Sequence, residues 1–267
     1  MQFPRFFSFD SPKAIKAKKY RYLNAINYMA PHKSAGVGNL CSHASIGCIN
    51  LCLGRESGQA SMVSANTNWT NAVRDSRERK ARYFMKQRQA YMAEMAVHVA
   101  AAVRTAKRKR IKLAVRPNGA TDVAYEAIRF HVTAELAAKL QSIVGRKHAK
   151  QITTGIHTVL TLFPFVQFLD YTKNPNRLRR ALPSNYDLTF SLSESNLHDA
   201  LDVLASGKNV AVVFADGLPE SWHGYRVING DLHDLRHLDP KGVVVGLSPK
   251  GNKAKRDQSG FVQRDYM

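Results

Sequence analysis

Apolar residues in this chain change rhythm near residue 110. Before it, Trp69, Val73, Phe84, Tyr91, Met95, Val99 and Val103 recur at roughly helical intervals, predicting one or two helices between about 66 and 108. After it they collect in short runs: IKLAVR (111–116), FVQFLDY (165–171), YDLTFSLS (186–193), NVAVVFA (209–215) and KGVVVGLS (241–248). Each run predicts a strand, with YRVIN (225–229) a small excursion ahead of the last. Helical patterns fall between them, at about 122–145, at 174–182 and at 196–207, the last ending on glycine. This alternation predicts an α/β fold with mostly parallel strands, either an open barrel or a doubly wound sheet.

Residues 1–30 read as a basic, aromatic-bearing N-terminal extension and 31–267 as a single α/β domain. Within that domain, 31–60 form a cysteine loop, 61–110 basic helices, 111–251 the strand–helix series and 252–267 a C-terminal tail. The first residues hold neither a long apolar run nor a cleavage signal, so neither a secretory signal nor a membrane anchor is expected. A cytoplasmic protein with reduced thiols follows as the expectation.

Charge separates the two halves further. The 267 residues carry a formal net charge of +20. Residues 1–116 hold 22 Lys and Arg against 5 Asp and Glu, whereas 117–267 hold 18 against 15. The helical stretch presents Arg74, Arg77, Arg79, Lys80, Arg82, Lys86 and Arg88, and ends in Lys107, Arg108, Lys109 and Arg110. An anionic partner, most simply nucleic acid, is expected there. General solubility is the rival account, and the terminal run also suits the negative end of a helix dipole.

All three cysteines lie within twelve residues, spaced Cys41-x6-Cys48-x3-Cys52. Three thiolates so placed can fill three corners of a 4Fe–4S cluster and leave one iron open. Zinc is the alternative, with His43 or His32 as the fourth ligand, although the short paired spacing of most structural zinc sites is missing. Redox-sensing or inert thiols are a third reading; the odd number argues against a disulfide framework. Gly47 permits close backbone approach, and Ser42, Ser45 and Asn50 can donate hydrogen bonds to cluster sulfides.

The predicted strands end in polar residues, where α/β folds place their chemistry. Arg116, Asn118 and Asp122 follow the first, Asp170 and Lys173 close the second, and Ser191, Ser193 and Glu194 close the third. Asp216 follows the fourth and Lys250 the last. Converging, they would bind a cofactor or substrate. Taken singly, Asn118, Asp122, Thr172 and Ser195 read equally well as caps and turn residues. Asp122, Asp170 and Glu194 could together bind magnesium, as in a nuclease. His223, His233 and His237 among Asp231, Asp234 and Asp239 read as a turn with local charge pairing rather than a second metal site. No phosphate-binding loop, HExxH or Gly-x-Ser-x-Gly motif is present. Trp69, Trp222, Phe6, Phe7, Tyr20 and Tyr22 could stack on unpaired bases, though core packing is the commoner use of aromatics.

The segments NYMAPHKSAGVGNLCSHASIGCINLCL, RPNGATD, FPFVQFLDYTKNPNRLRR, NYDLTFSLSESN, NVAVVF and DLRHLDPKGVVVGLSPKG resemble the gene-product-88-like family of phage and plasmid proteins, over roughly residues 24–262. More distantly, the cysteine loop and the strand ending in Thr172-Lys173 resemble a phage family related to radical S-adenosylmethionine (SAM) proteins. That family spaces its cysteines x6 and x2, and the commonest radical SAM spacing is x3 and x2, so this chain departs from both. The resemblance implies a partial (β/α) barrel with an iron–sulfur cluster near its mouth, and a bacterial host cell as the setting. Two functional classes follow. One is a radical SAM-like enzyme modifying or repairing nucleic acid; the other is a non-catalytic nucleic-acid-binding protein with a structural or redox-sensing metal site, serving replication or transcription.

Overall fold

The computed structural model describes residues 3–264, and eleven strands fall within them. They are β1 (Tyr22–Ile26), β2 (Lys112–Arg116), β3 (Phe130–Val132), β4 (Gly155–His157), β5 (Gln167–Thr172) and β6 (Tyr186–Ser191). Then follow β7 (Val210–Phe214), β8 (Ser221–Trp222), β9 (Tyr225–Asn229), β10 (Val244–Leu247) and β11 (Val262–Gln263). The main sheet runs β1-β2-β5-β6-β7-β10-β9-β8, with β11 attached to β7. Its pairings are parallel except for the β8–β9 hairpin. This is a mixed α/β fold with a mostly parallel central sheet. The sheet keeps two edges among the described residues, and a backbone bridge from Ser8 to Ile26 covers part of the β1 edge.

Both faces of the sheet are buried, which is why its strands read as short apolar runs. Ala25, Val115, Phe168, Phe190, Val210 and Val212 join the main core, together with Tyr91, Met95, Val99 and Val103 of the Arg88–Arg108 helix. Tyr22, Ala114 and Leu169 pack with Ala17 and Leu235 in a second cluster. The helical stretch comprises two helices, Ala72–Lys86 and Arg88–Arg108, separated at Gln87, whose φ of −137° and ψ of 55° interrupt the helix. Asn71 starts the first by accepting the N–H groups of Val73 and Arg74.

Two expectations change. β1 lies inside the stretch read as a basic lead-in; YLNAI is wholly buried, and its flanking lysines and arginine hid a five-residue signal. Of the helix expected at 122–145, only Ala134–Val144 forms, capped by Thr133. Phe130 and Val132 are buried while His131 between them is exposed, a period of two that makes β3, paired antiparallel with β4.

One irregularity prepares the site. β6 and β7 are paired at Phe190–Val210 and Ser191–Ala211, and beyond them β7 pairs with β11 at Val262–Val213. The chain after Ser191 is therefore free to turn across the carboxyl edge of the sheet.

Candidate metal and cofactor site

The cysteine loop leaves the carboxyl end of β1 and is anchored at Asn27. Its side-chain amide donates to the Tyr91 hydroxyl (2.9 Å) and to the Pro117 carbonyl (3.0 Å), tying the loop to the end of β2. Gly119 lies so close that an added Cβ would stand 2.7 Å from the Asn27 carbonyl oxygen. That contact demands glycine.

Cys41, Cys48 and Cys52 line one cavity of about 760 Å³ at the carboxyl ends of the strands, with Asp122, Thr172, Lys173 and Ser191. Cys41 Sγ accepts the His32 backbone N–H at 3.2 Å. Cys48 sits in the short Ile46–Asn50 helix, where Ser45 Oγ accepts its N–H at 3.2 Å. Cys52 precedes the Leu53–Glu56 turn. Burial raises the Cys41 thiol to about 12 and the Cys52 thiol to about 11, against a neighbouring N–H in each case. Burial also raises Cys48, with the Lys173 ammonium opposing it. Such thiols stay protonated near neutral pH unless a cation replaces the proton. Among the described residues, no three His, Cys, Asp or Glu side chains converge as a single ion requires.

Lys173 forms the polar wall opposite the thiols. Its ammonium donates to Ser191 Oγ (2.9 Å) and to the Leu192 carbonyl (2.9 Å), and lies 4.9 Å from the centre of the Phe261 ring. Burial lowers its pKa, while Cys48, Asp122 and Glu194 act in the opposite direction. Asp122 accepts the Lys173 N–H (2.8 Å), the Thr172 hydroxyl (3.1 Å) and an Arg177 guanidinium N–H (2.6 Å). Arg177 also forms a two-point pair with Glu126, so the carboxylate is fixed in place. Glu194 reaches from the released end of β6 to accept the Gly47 N–H and the Ser45 hydroxyl, both at 2.7 Å.

The remaining predicted binding residues lie outside the cavity lining. Asp170 is fully buried and accepts the Asn118 N–H and side-chain amide (2.8 Å each) and the Tyr186 hydroxyl (3.1 Å). Burial raises it to about 7. Arg116 pairs with Asp234 at 2.7 Å and stacks over Tyr171. Ser193 is buried, and its N–H donates to Asn196. Lys250 pairs with Asp231 at 2.9 Å. Asp122, Asp170 and Glu194 each have separate partners. The His–Asp segment also pairs away, through Arg116–Asp234, Arg236–Asp239 and His237 with the Tyr22 hydroxyl. Sequence reading missed Glu56 and Lys253, which meet at 2.8 Å on the cavity rim from segments nearly two hundred residues apart. No local pattern carries that contact.

The basic residues divide in two. Arg74 is buried and donates to the carbonyls of Ala60, Trp69 and Arg55; Arg77 donates to the Gly54 carbonyl, and Lys80 to that of Phe6 (2.8 Å). These three hold the fold together. Arg79, Arg82, Lys86, Arg88, Lys107, Arg108, Lys109 and Arg110 are exposed. Phe6, Phe7, Tyr22 and Trp222 are buried, whereas Trp69 and Tyr20 are exposed.

These features define an α/β protein with a thiol-lined cavity at the carboxyl edge of a parallel sheet. The family model of Gene product 88 matches residues 6–265, and the chain belongs to that family. No curated protein and no solved structure matched it. Among the described residues, no helix is long and apolar enough to cross a membrane.

Proposed function

We propose that Cys41, Cys48 and Cys52 hold a 4Fe–4S cluster whose open iron faces the cavity, and that the chain is a radical SAM-like enzyme acting on nucleic acid. The observation that carries this reading is the presence of all three thiols in one cavity with Lys173, Asp122 and Ser191. A cluster takes each thiolate on a different iron, so the sulfurs need not converge on one point as they do around zinc. The His32 N–H already points at Cys41, as hydrogen bonds to cluster sulfurs do. The strand order β1-β2-β5-β6-β7, advancing in one direction, suits a partial (β/α) barrel.

The chemistry such a cluster supplies is one-electron reduction of a bound cofactor. The chain's own part is positioning and charge. Lys173 places a cation beside Cys48, which favours an anionic cluster and the carboxylate of a cofactor of SAM type. Asp122, locked by Arg177, offers negative charge across the same cavity. Thr121 and Ser191 bring hydroxyls.

Anaerobic purification followed by iron and sulfide analysis tests the reading. The expected result is about four iron and four sulfide per chain, lost in Cys48→Ala, with reductive cleavage of added SAM. Iron without SAM cleavage would assign the cluster a structural or redox-sensing role in a nucleic-acid-binding protein. Zinc in place of iron would overturn the proposal.

A further inference from the structure

The exposed cations are not evenly spread, and four of them share a cavity remote from the thiols. Arg5, Arg79, Arg82 and Lys86 line a space of about 580 Å³ with Phe3, Tyr83 and their neighbours. Arg79, Arg82 and Lys86 fall at i, i+3 and i+7 of the Ala72–Lys86 helix and so occupy one face of it. Arg5 closes the cavity from the N-terminal segment. That segment is fixed: the Phe3 N–H donates to Glu94 (2.7 Å) and Lys80 donates to the Phe6 carbonyl (2.8 Å). The lining contains no carboxylate. Arg82 pairs with Glu78 at 2.8 Å, while Arg5, Arg79 and Lys86 have no acidic partner among the described residues.

Like charges held in one cavity repel unless an anion joins them, and a pocket focuses their field more than a flat surface does. A pre-set wall also lowers the ordering cost of binding. Tyr83 adds an aromatic ring, tilted against Phe3 at 5.9 Å, beside the cations. We infer that this pocket is an anion site for the phosphate of a nucleic-acid strand or nucleotide, separate from the cysteine cavity. The inference deepens the nucleic-acid part of the proposed function and does not depend on the cluster.

Fluorescence anisotropy with the full chain tests it, using a labelled single-stranded DNA of about 15 nucleotides and salt from about 50 to 200 mM. The double variant Arg79→Gln with Lys86→Gln should weaken binding roughly tenfold and reduce the salt slope by about 2, one for each lost phosphate contact. Lys107→Gln with Lys109→Gln, at the far end of the next helix, should change both much less. Adenosine monophosphate and inorganic phosphate serve as competitors. Displacement by either at low concentration identifies a free nucleotide or phosphate as the ligand, and displacement by strand alone identifies the polymer. Equal losses in the two double variants, or no loss in the first, would overturn the pocket. Iron content measured on the same preparations keeps this result apart from the fate of the cluster proposal.

Discussion

Glu194 accepts the backbone N–H of Gly47 at 2.7 Å, joining the released end of β6 to the turn that carries Cys48. A Cβ on residue 47 would lie 2.8 Å from that carboxylate and 2.7 Å from Ser259 Oγ, so the approach exists because residue 47 is glycine. Glu194→Ala should cost about 2 kcal/mol by denaturant unfolding, the usual worth of hydrogen bonds to a charged group. It should also lower iron uptake, because Cys48 loses its tether, and Glu194→Gln should retain more uptake than Ala. Equal iron content in all three proteins would detach Glu194 from the site.

The raised thiols make a pH prediction. Cys41 moves from an ordinary 9.0 to about 12 and Cys52 from 9.0 to about 11. Between those limits the unfolded chain gives up protons that the folded one keeps, so the thiols' contribution to stability is complete below pH 9 and lost as pH rises through the folded values. Metal-free Cys41→Ala should therefore lose less stability than the parent protein between about pH 9 and 11. Parallel stability–pH curves would contradict the burial of Cys41.

Asn118 gives two hydrogen bonds to the buried Asp170 and accepts others from Thr121 and Val123. Asn118→Ala should destabilise the protein by about 3 kcal/mol, since Asp170 keeps its burial with fewer donors. A change below about 0.5 kcal/mol, the range of ordinary surface substitutions, would show that the network relaxes freely.

Arg74 and Lys109 belong to the same basic third and should behave oppositely. Arg74→Ala leaves three carbonyls without their donor and should lower stability by about 2 kcal/mol or more. Lys109→Ala should leave stability within about 0.5 kcal/mol. Thermal melts of the two variants decide the matter; similar losses would mean that the carbonyl contacts of Arg74 are not structural.

Lys173 is the cation nearest the thiols in effect, since it is the leading influence holding Cys48 down. In iron-loaded protein, Lys173→Met should lower the reduction potential, because a positive charge that favours the reduced cluster is gone. Redox titration followed by electron paramagnetic resonance reads this directly. An unchanged potential would place the Lys173 ammonium too far from the metal to matter.

The sequence by itself determined the strand series, the two long helices, the clustering of the thiols and the concentration of cations in the first third. All are local properties: period, run length, spacing and composition. It also marked Asp122, Lys173 and Ser191, because polar residues at strand ends follow from where a parallel sheet opens. It did not determine which polar residues face the cavity. Asp170 and Lys173 stand three residues apart, yet one accepts hydrogen bonds from Asn118 and Tyr186 away from the cavity while the other lines it. Nor did composition separate Arg74 and Lys80, bound to distant carbonyls, from Arg79 and Lys86 in the open pocket. Only the tertiary structure decides this, because a side chain's role depends on the partners brought to it across the chain, and residues such as Glu56 and Lys253 or Ser45 and Glu194 become neighbours only when the sheet has assembled.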